Sequence, residues 1–115
     1  MENKRAERHL CNFHIAGFTF HEGCMVFGEL NIGSRLRFER EADNRFDPYA
    51  VAIYYRNRKL GFVPRDQNTL IAQLLDLGYH NIFEVVVQRI SPDAHPEKQV
   101  GVVVFLREAK EAFHR

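Results

Sequence analysis

Residues 35–65, RLRFEREADNRFDPYAVAIYYRNRKLGFVPR, decide the fold. The first seven alternate strictly. Leu36 and Phe38 fall on one side of an extended chain and Arg35, Arg37 and Glu39 on the other, because successive side chains of a strand point to opposite faces. Ala42 to Pro48 interrupts this pattern with Asp43-Asn44 and Asp47-Pro48. Such pairs favour turns through side-chain hydrogen bonds to the backbone and through the fixed proline φ. Two short apolar runs follow, Ala50 to Tyr55 and Lys59 to Val63, joined around Asn57 in the manner of a β-hairpin. Strand, loop and hairpin in direct succession point to an antiparallel sheet.

Beyond Val63, Pro64-Arg65-Asp66 is expected to start a helix, with Asp66 placed to cap the free amides of its first turn. Leu70, Ile71, Leu74, Leu75 and Leu77 form its apolar stripe, and Gly78 is suited to the left-handed conformation that ends a helix. Ile82 to Ile90 and Gln99 to Arg107 read as two further strands. The prolines of Ser91 to Lys98 make the connection between them a loop. On the N-terminal side Asn12 to Phe20 reads as a strand broken by His21-Glu22-Gly23. Cys24 to Ile32 is ambiguous, between a short helical turn and irregular chain, before Asn31-Ile32-Gly33-Ser34 closes it.

About six strands and one firm helix, without a repeating strand–helix alternation, exclude a doubly wound parallel sheet. The expected fold class is α+β, mostly antiparallel, with short strands curled into a partly closed barrel and the helix plugging one end or face. The chain has 115 residues, 45% apolar and 27% charged, which is one domain's worth of ordinary globular composition. A domain of this size buries roughly two-thirds of the surface of its unfolded chain, enough for a core without disulfides. Residues 1–10 are expected to form a polar N-terminal tail, 11–107 the single domain, and 108–115 a C-terminal tail.

Sixteen Lys and Arg oppose fifteen Asp and Glu, so the molecule as a whole has no field that would concentrate a polyanion. Residues 35–65, however, hold eight basic and four acidic residues, a net +4 against −3 for the remainder. A nucleic-acid site would therefore be local. No apolar run approaches the roughly 20 residues of a spanning helix, and the charged start of the chain leads into no signal-peptide core. Two cysteines, Cys11 and Cys24, suit a cytoplasmic protein with reduced thiols.

Several chemistries find no support. There is no phosphate-binding G-x-x-x-x-G-K-[ST] loop for an autonomous ATPase and no G-x-S-x-G turn for a serine hydrolase. His9, Cys11, His14, His21 and Cys24 approach a zinc spacing. Cys11 and His14, however, differ by an odd number of positions and point to opposite faces of a strand, so neither a metal nor another cofactor is expected. Asp43, Asp47 and Glu41 are interspersed with Arg40 and Arg45, and turn roles account for them better than a nuclease metal site.

The segments Glu41 to Val51 and Leu60 to Arg65 resemble the HIRAN domain family. Its pattern has an opening strand with Gly, an aromatic pair and Gly, then a Gly turn and a strand. E-x-x-N-P-[YF]-D-x-x-A-[IV] follows, and a hairpin leads to G-[YFH]-[VIL]-P-[KR] and a leucine-rich helix. Gly17-Phe18-Thr19-Phe20-His21-Glu22-Gly23 supplies the opening, Gly33 the turn, Glu41 to Val51 the loop and Gly61 to Arg65 the approach to the helix. The resemblance covers roughly residues 12–90. It departs from the pattern at Arg45, where the family has proline, at Thr19, where a DNA-binding member has a basic residue, and at His21, where tyrosine is usual.

This resemblance implies a non-catalytic, OB-like module that holds the 3′ end of single-stranded DNA in repair or replication-fork processing, beside a helicase or nuclease partner. Phe20 and His21 would then be the base-stacking pair and Asp47 the acceptor for the terminal 3′-hydroxyl, with Asn44 beside it. Phe62 and Arg65 would approach the terminal nucleotide and its phosphates, and Arg45 would add positive charge. The chemistry is coherent, because a carboxylate accepts a hydrogen bond from a free hydroxyl and repels an internal phosphodiester. The competing expectation is a protein-interaction adaptor that keeps the fold without binding DNA.

Overall fold

In the computed structural model, residues 8–18 and 23–108 are described, with the backbone alone at Gly23 and Cys24. Six strands carry the fold: β1 (Arg8–His14), β2 (Arg35–Arg40), β3 (Val51–Tyr55), β4 (Arg58–Phe62), β5 (Phe83–Ile90) and β6 (Val100–Leu106). The helices are the short α1 (Gly23–Val26) and α2 (Thr69–Asp76). The strands form one antiparallel sheet in the order β1-β6-β5-β2-β3-β4. The expected α+β class with a mostly antiparallel sheet and one main helix is what the chain adopts.

The sheet curls because β2 is shared. Arg35 and Leu36 pair with Val86 and Val85 of β5, whereas Arg37 to Arg40 pair with Tyr54 to Val51 of β3. The strand passes from one half of the sheet to the other within six residues. This turns the outer strands toward each other, and they meet just beyond β1. Ala16 and Phe62 exchange both backbone hydrogen bonds, each 2.9 Å long. The sheet is not closed, but it touches itself at this one bridge. A β-bulge at Leu60 prepares the meeting by offsetting β4 against β3 between Ile53 and Tyr54.

Gly61 makes the approach possible. A Cβ built there would lie 2.3 Å from the carbonyl oxygen of Ala16 and 2.7 Å from the Ile15 side chain, and its φ of +155° suits only glycine. Inside the curl, alternate residues of every strand interdigitate: Phe13, Ile15, Leu36, Val51, Ile53, Leu60, Val85, Val87, Val100, Val102 and Val104, joined by Phe18, Ile71 and Leu75.

Three sequence readings change. The first strand runs from Arg8 to His14 rather than Asn12 to Phe20. Gly17 turns the chain with φ +70°, Phe18 is core, and residues 19–22 lie outside the described region. The helix begins at Thr69. Arg65 to Gln67 forms a separate 3-10 turn, and Asp66 caps nothing in α2. Of the expected stripe, Ile71 and Leu75 are buried with Ala72, while Leu70 and Leu77 are exposed, because an eight-residue helix lying on a curled sheet covers a narrower strip than a long one. Gly78 does end the helix in a Schellman motif. Its N–H donates to Leu75 O at 2.9 Å, and that of Tyr79 donates to Leu74 O at 3.0 Å.

Candidate nucleic-acid interface

The loop between β2 and β3 is built from its own side chains. Asn44 Oδ1 accepts the backbone N–H groups of Phe46 and Asp47 at 2.9 and 3.0 Å, while its Nδ2 donates to Glu41 Oε1 at 3.1 Å. Glu41 is held in turn by the ammonium group of Lys59 on β4. Asp47 Oδ1 accepts the N–H of Tyr49 at 2.9 Å, a turn that the proline between them favours. Side-chain acceptors thus take the place of a regular ladder for these amides.

Two further residues lock the loop to the rest of the fold. Asn68, only 2% exposed, donates from Nδ2 to Asp47 Oδ2 at 2.8 Å rather than capping α2. Arg40 donates to the carbonyl oxygens of Ala50 and Pro48 at 3.1 and 2.8 Å, and pairs with Asp76 at the end of α2 at 2.9 Å. Arg65 contributes from the 3-10 turn. Its Nη2 donates to Phe46 O, and its Nε lies 3.7 Å from Asp47 Oδ2.

These contacts frame a cleft of about 240 Å³ whose lining includes Gly17, Asn44, Phe46, Asp47, Phe62 and Arg65. Four of the sequence-derived site residues, Asn44, Asp47, Phe62 and Arg65, therefore come together. Phe62 stands at the Ala16 bridge, with the Lys59 ammonium 4.5 Å from its ring centre. Arg45 is exposed and is not part of the lining. Phe20 and His21 lie outside the described residues.

Three contributors had no assigned role in the sequence. Phe46 presents an aromatic ring that is 80% exposed at the cleft, next in sequence to the Asp47 carboxylate. Asn68 and Arg40 position that carboxylate and its loop. Arg40 carried a readable signal: strand alternation puts it on the Leu36 and Phe38 side, where a charge needs partners. Asn68 carried none, because nothing links it in sequence to Asp47.

The Asp47 carboxylate accepts one bond on each oxygen and keeps 18% of its side chain exposed. A carboxylate offers about four lone-pair sites, so two are left for a ligand whose donor reaches the cleft. With Arg65 adjacent, the site can pair a hydroxyl donor with a neighbouring anion, and Phe46 offers a flat apolar surface for a ring.

Among the described residues no three His, Cys, Asp or Glu side chains converge. Burial pushes the Cys11 thiol up from its usual range, which disfavours the thiolate a metal would need. Cys11 is free of any disulfide, and no described helix is long and apolar enough to cross a membrane.

Comparison with curated proteins gives no significant match. Among solved structures, the chain resembles a protein from Lactobacillus plantarum, a structural-genomics target solved by crystallography. The two share 20% identity at a TM-score of 0.75, over 91% of this chain and 99% of the other, which shows a common fold. A family model described as the HIRAN domain matches residues 9–108, nearly the whole of the described region. The chain belongs to the HIRAN domain family, a family of binding domains known for nucleic acids.

Proposed function

We propose that this protein is a non-catalytic module that recognises the free 3′ end of single-stranded DNA and serves DNA repair or replication-fork processing, with a helicase or nuclease partner supplying the chemistry. The observation that carries the reading is the cleft, where exposed Phe46 stands beside an oriented Asp47 carboxylate and the Arg65 guanidinium. Phe46 stacks on the terminal base, a contact that accepts any base because every base has a π-face. Asp47 accepts the 3′-hydroxyl, and Arg65 neutralises the adjacent phosphate. Phe20 and His21 supply further stacking, Asn44 shapes the loop, and Arg45 adds charge at its rim. The binding needs neither metal nor cofactor.

The test is fluorescence anisotropy at low salt on three labelled single strands: one with a free 3′-hydroxyl, one 3′-phosphorylated and one circular. The expected order places the free hydroxyl first, because a terminal phosphate brings negative charge against Asp47. Phe46→Ala removes an exposed ring without opening the core. It is expected to weaken binding by about 1 to 3 kcal/mol, at least about fivefold in Kd. Equal affinity for all three strands would overturn end recognition. Absence of binding by the folded protein would bring forward the adaptor reading, which has the exposed Leu77 and Tyr79 at the end of α2 in its favour.

A further inference from the structure

A second depression lies on the outer side of the sheet. His14 of β1, Gly101 of β6 and Arg89 of β5 are direct cross-strand partners, so their positions share one face in a row. Gly101 has no side chain, which leaves a notch between the other two. Strands lie about 4.8 Å apart, so His14 and Arg89 flank a gap of about 10 Å between backbones. The notch encloses about 260 Å³ and is lined by Asn12, Phe13, His14, Gln88, Arg89 and Gly101. A β-bulge between Val87 and Arg89 makes Gln88 the extra residue and leaves both Gln88 and Arg89 exposed at its edge.

Two features mark the notch as more than a surface irregularity. No carboxylate is found among its described lining residues. The Arg89 side chain makes no ion pair, hydrogen bond or ring contact with any described residue, a property it shares among the described arginines with Arg45 alone. Every other described arginine is engaged within the fold. A guanidinium left unpaired beside a histidine and two carboxamide side chains is a donor set for a phosphodiester.

One extended segment also runs from the notch to the end-binding cleft. Asn12, His14 and Ala16 alternate with buried Phe13 and Ile15, so they share the outer face of one extended segment, and Ala16 lines the cleft. From Ala16 back to Asn12 is roughly 13 Å along the strand. Sites on OB-type barrels typically span about 4 to 16 nucleotides. A single terminal nucleotide in the cleft falls short of that, and the strand must continue over some surface.

We infer that the His14–Gly101–Arg89 notch is a second subsite, which binds a phosphodiester upstream of the 3′ terminus and sets the path of the strand along β1. This rests on the end-binding reading above. Arg89 supplies the charge, Asn12 and Gln88 supply neutral donors, and Gly101 provides the room.

The experiment titrates oligothymidylates of two and six residues, each with a free 3′-hydroxyl, into the full-length protein and Arg89→Gln, following backbone amide shifts. The hexamer is expected to shift amides around both Asp47 and Gly101, and the dimer those around Asp47 alone. Arg89→Gln removes an exposed side chain that pairs with no described residue, and is expected to leave the fold intact. It should weaken the hexamer roughly three- to fivefold, the upper range for an exposed ion pair. The slope of log K against log salt should fall by about 0.7, with the dimer unaffected. Hexamer shifts at Asp47 with none at Gly101, or an unchanged hexamer affinity in Arg89→Gln, would overturn the second subsite while leaving end recognition standing. Absence of shifts at Asp47 with either oligonucleotide would overturn the end-binding reading and the upstream assignment with it.

Discussion

Asp47 holds its own loop and, in the proposed function, meets the ligand, and these roles have to be separated before any substitution there is interpreted. Its removal leaves the Asn68 amide, buried and 2.8 Å from Oδ2, without an acceptor. An orphaned buried donor costs about 1 to 3 kcal/mol, so Asp47→Ala is expected to lower stability by that amount even if it never touches DNA. Asn68→Ala costs less, about 1 kcal/mol, because the carboxylate it abandons still reaches solvent and Arg65. Since the two residues share one hydrogen bond, the double variant should lose less than the sum of the single losses, by 0.5 kcal/mol or more on the usual scale of such couplings. Urea unfolding of the three variants measures this, and strictly additive losses would show that the bond contributes nothing. At this scale the convergence of Asn44, Asp47, Phe62 and Arg65 on one cleft was legible, because motifs in a fixed order tie the loop to the strand end and turn beside it. Phe46 was not, since an aromatic in a turn reads equally well as core or as surface until its exposure is seen.

The strands were the most legible elements, and for a physical reason. The alternation in Arg35 to Arg40 and the valine-rich run of β6 are local properties that burial on a sheet demands. The start of α2 was illegible because Asp66 is a good capping residue by type, yet the chain spends that turn as a 3-10 segment and turns the Asn68 side chain toward the loop instead. Nor did strand pattern reveal that β2 is shared between two neighbours or that the sheet touches itself at Ala16 and Phe62, because both depend on curvature summed over six strands. That bridge has one sensitive point. Gly61→Ala would set a methyl group 2.3 Å from a carbonyl oxygen in a backbone conformation that L-residues rarely adopt. Overpacking and backbone strain each cost about 1 to 3 kcal/mol, so the expected loss is on the order of 3 kcal/mol. Each kcal/mol lowers the midpoint by roughly 4 to 8 °C in a small domain, which makes the effect plain in a thermal melt. Because Ala16 and Phe62 frame the cleft, oligonucleotide affinity should fall in the same variant at temperatures where it is still folded. A melt within a degree or two of the parent would show that the edges do not need to meet.

At the scale of the whole molecule, the net +4 of residues 35–65 looks like a basic patch, and the fold largely disperses it. Arg35 pairs with Glu84, Arg37 with Glu39, Arg40 with Asp76, Lys59 with Glu41 and Arg65 with Asp47, while Arg56 lies over the Tyr55 ring. Much of the positive charge is thus spent on shaping the loop and sheet, and what is left for a strand is local: Arg45 and Arg89, whose side chains pair with no described residue, and Arg65, whose ion pair with Asp47 is a long 3.7 Å and leaves its side chain 69% exposed. A protein that binds a polyanion through a broad surface releases many counterions, and its affinity collapses with salt. One that grips an end through a few groups does not. Each phosphate neutralised on a single strand contributes about −0.7 to the slope of log K against log salt, so two or three contacts predict a slope of roughly −1.4 to −2. Anisotropy titrations of a free-hydroxyl hexamer across a salt series measure it. A slope steeper than about −4 would require more than five neutralised phosphates, more than these local charges can reach, and would move binding from the cleft to an extended surface. A slope near the expected value, together with discrimination against a 3′-phosphate, would mean that the strand is held by stacking and the hydroxyl acceptor, with charge in a supporting role.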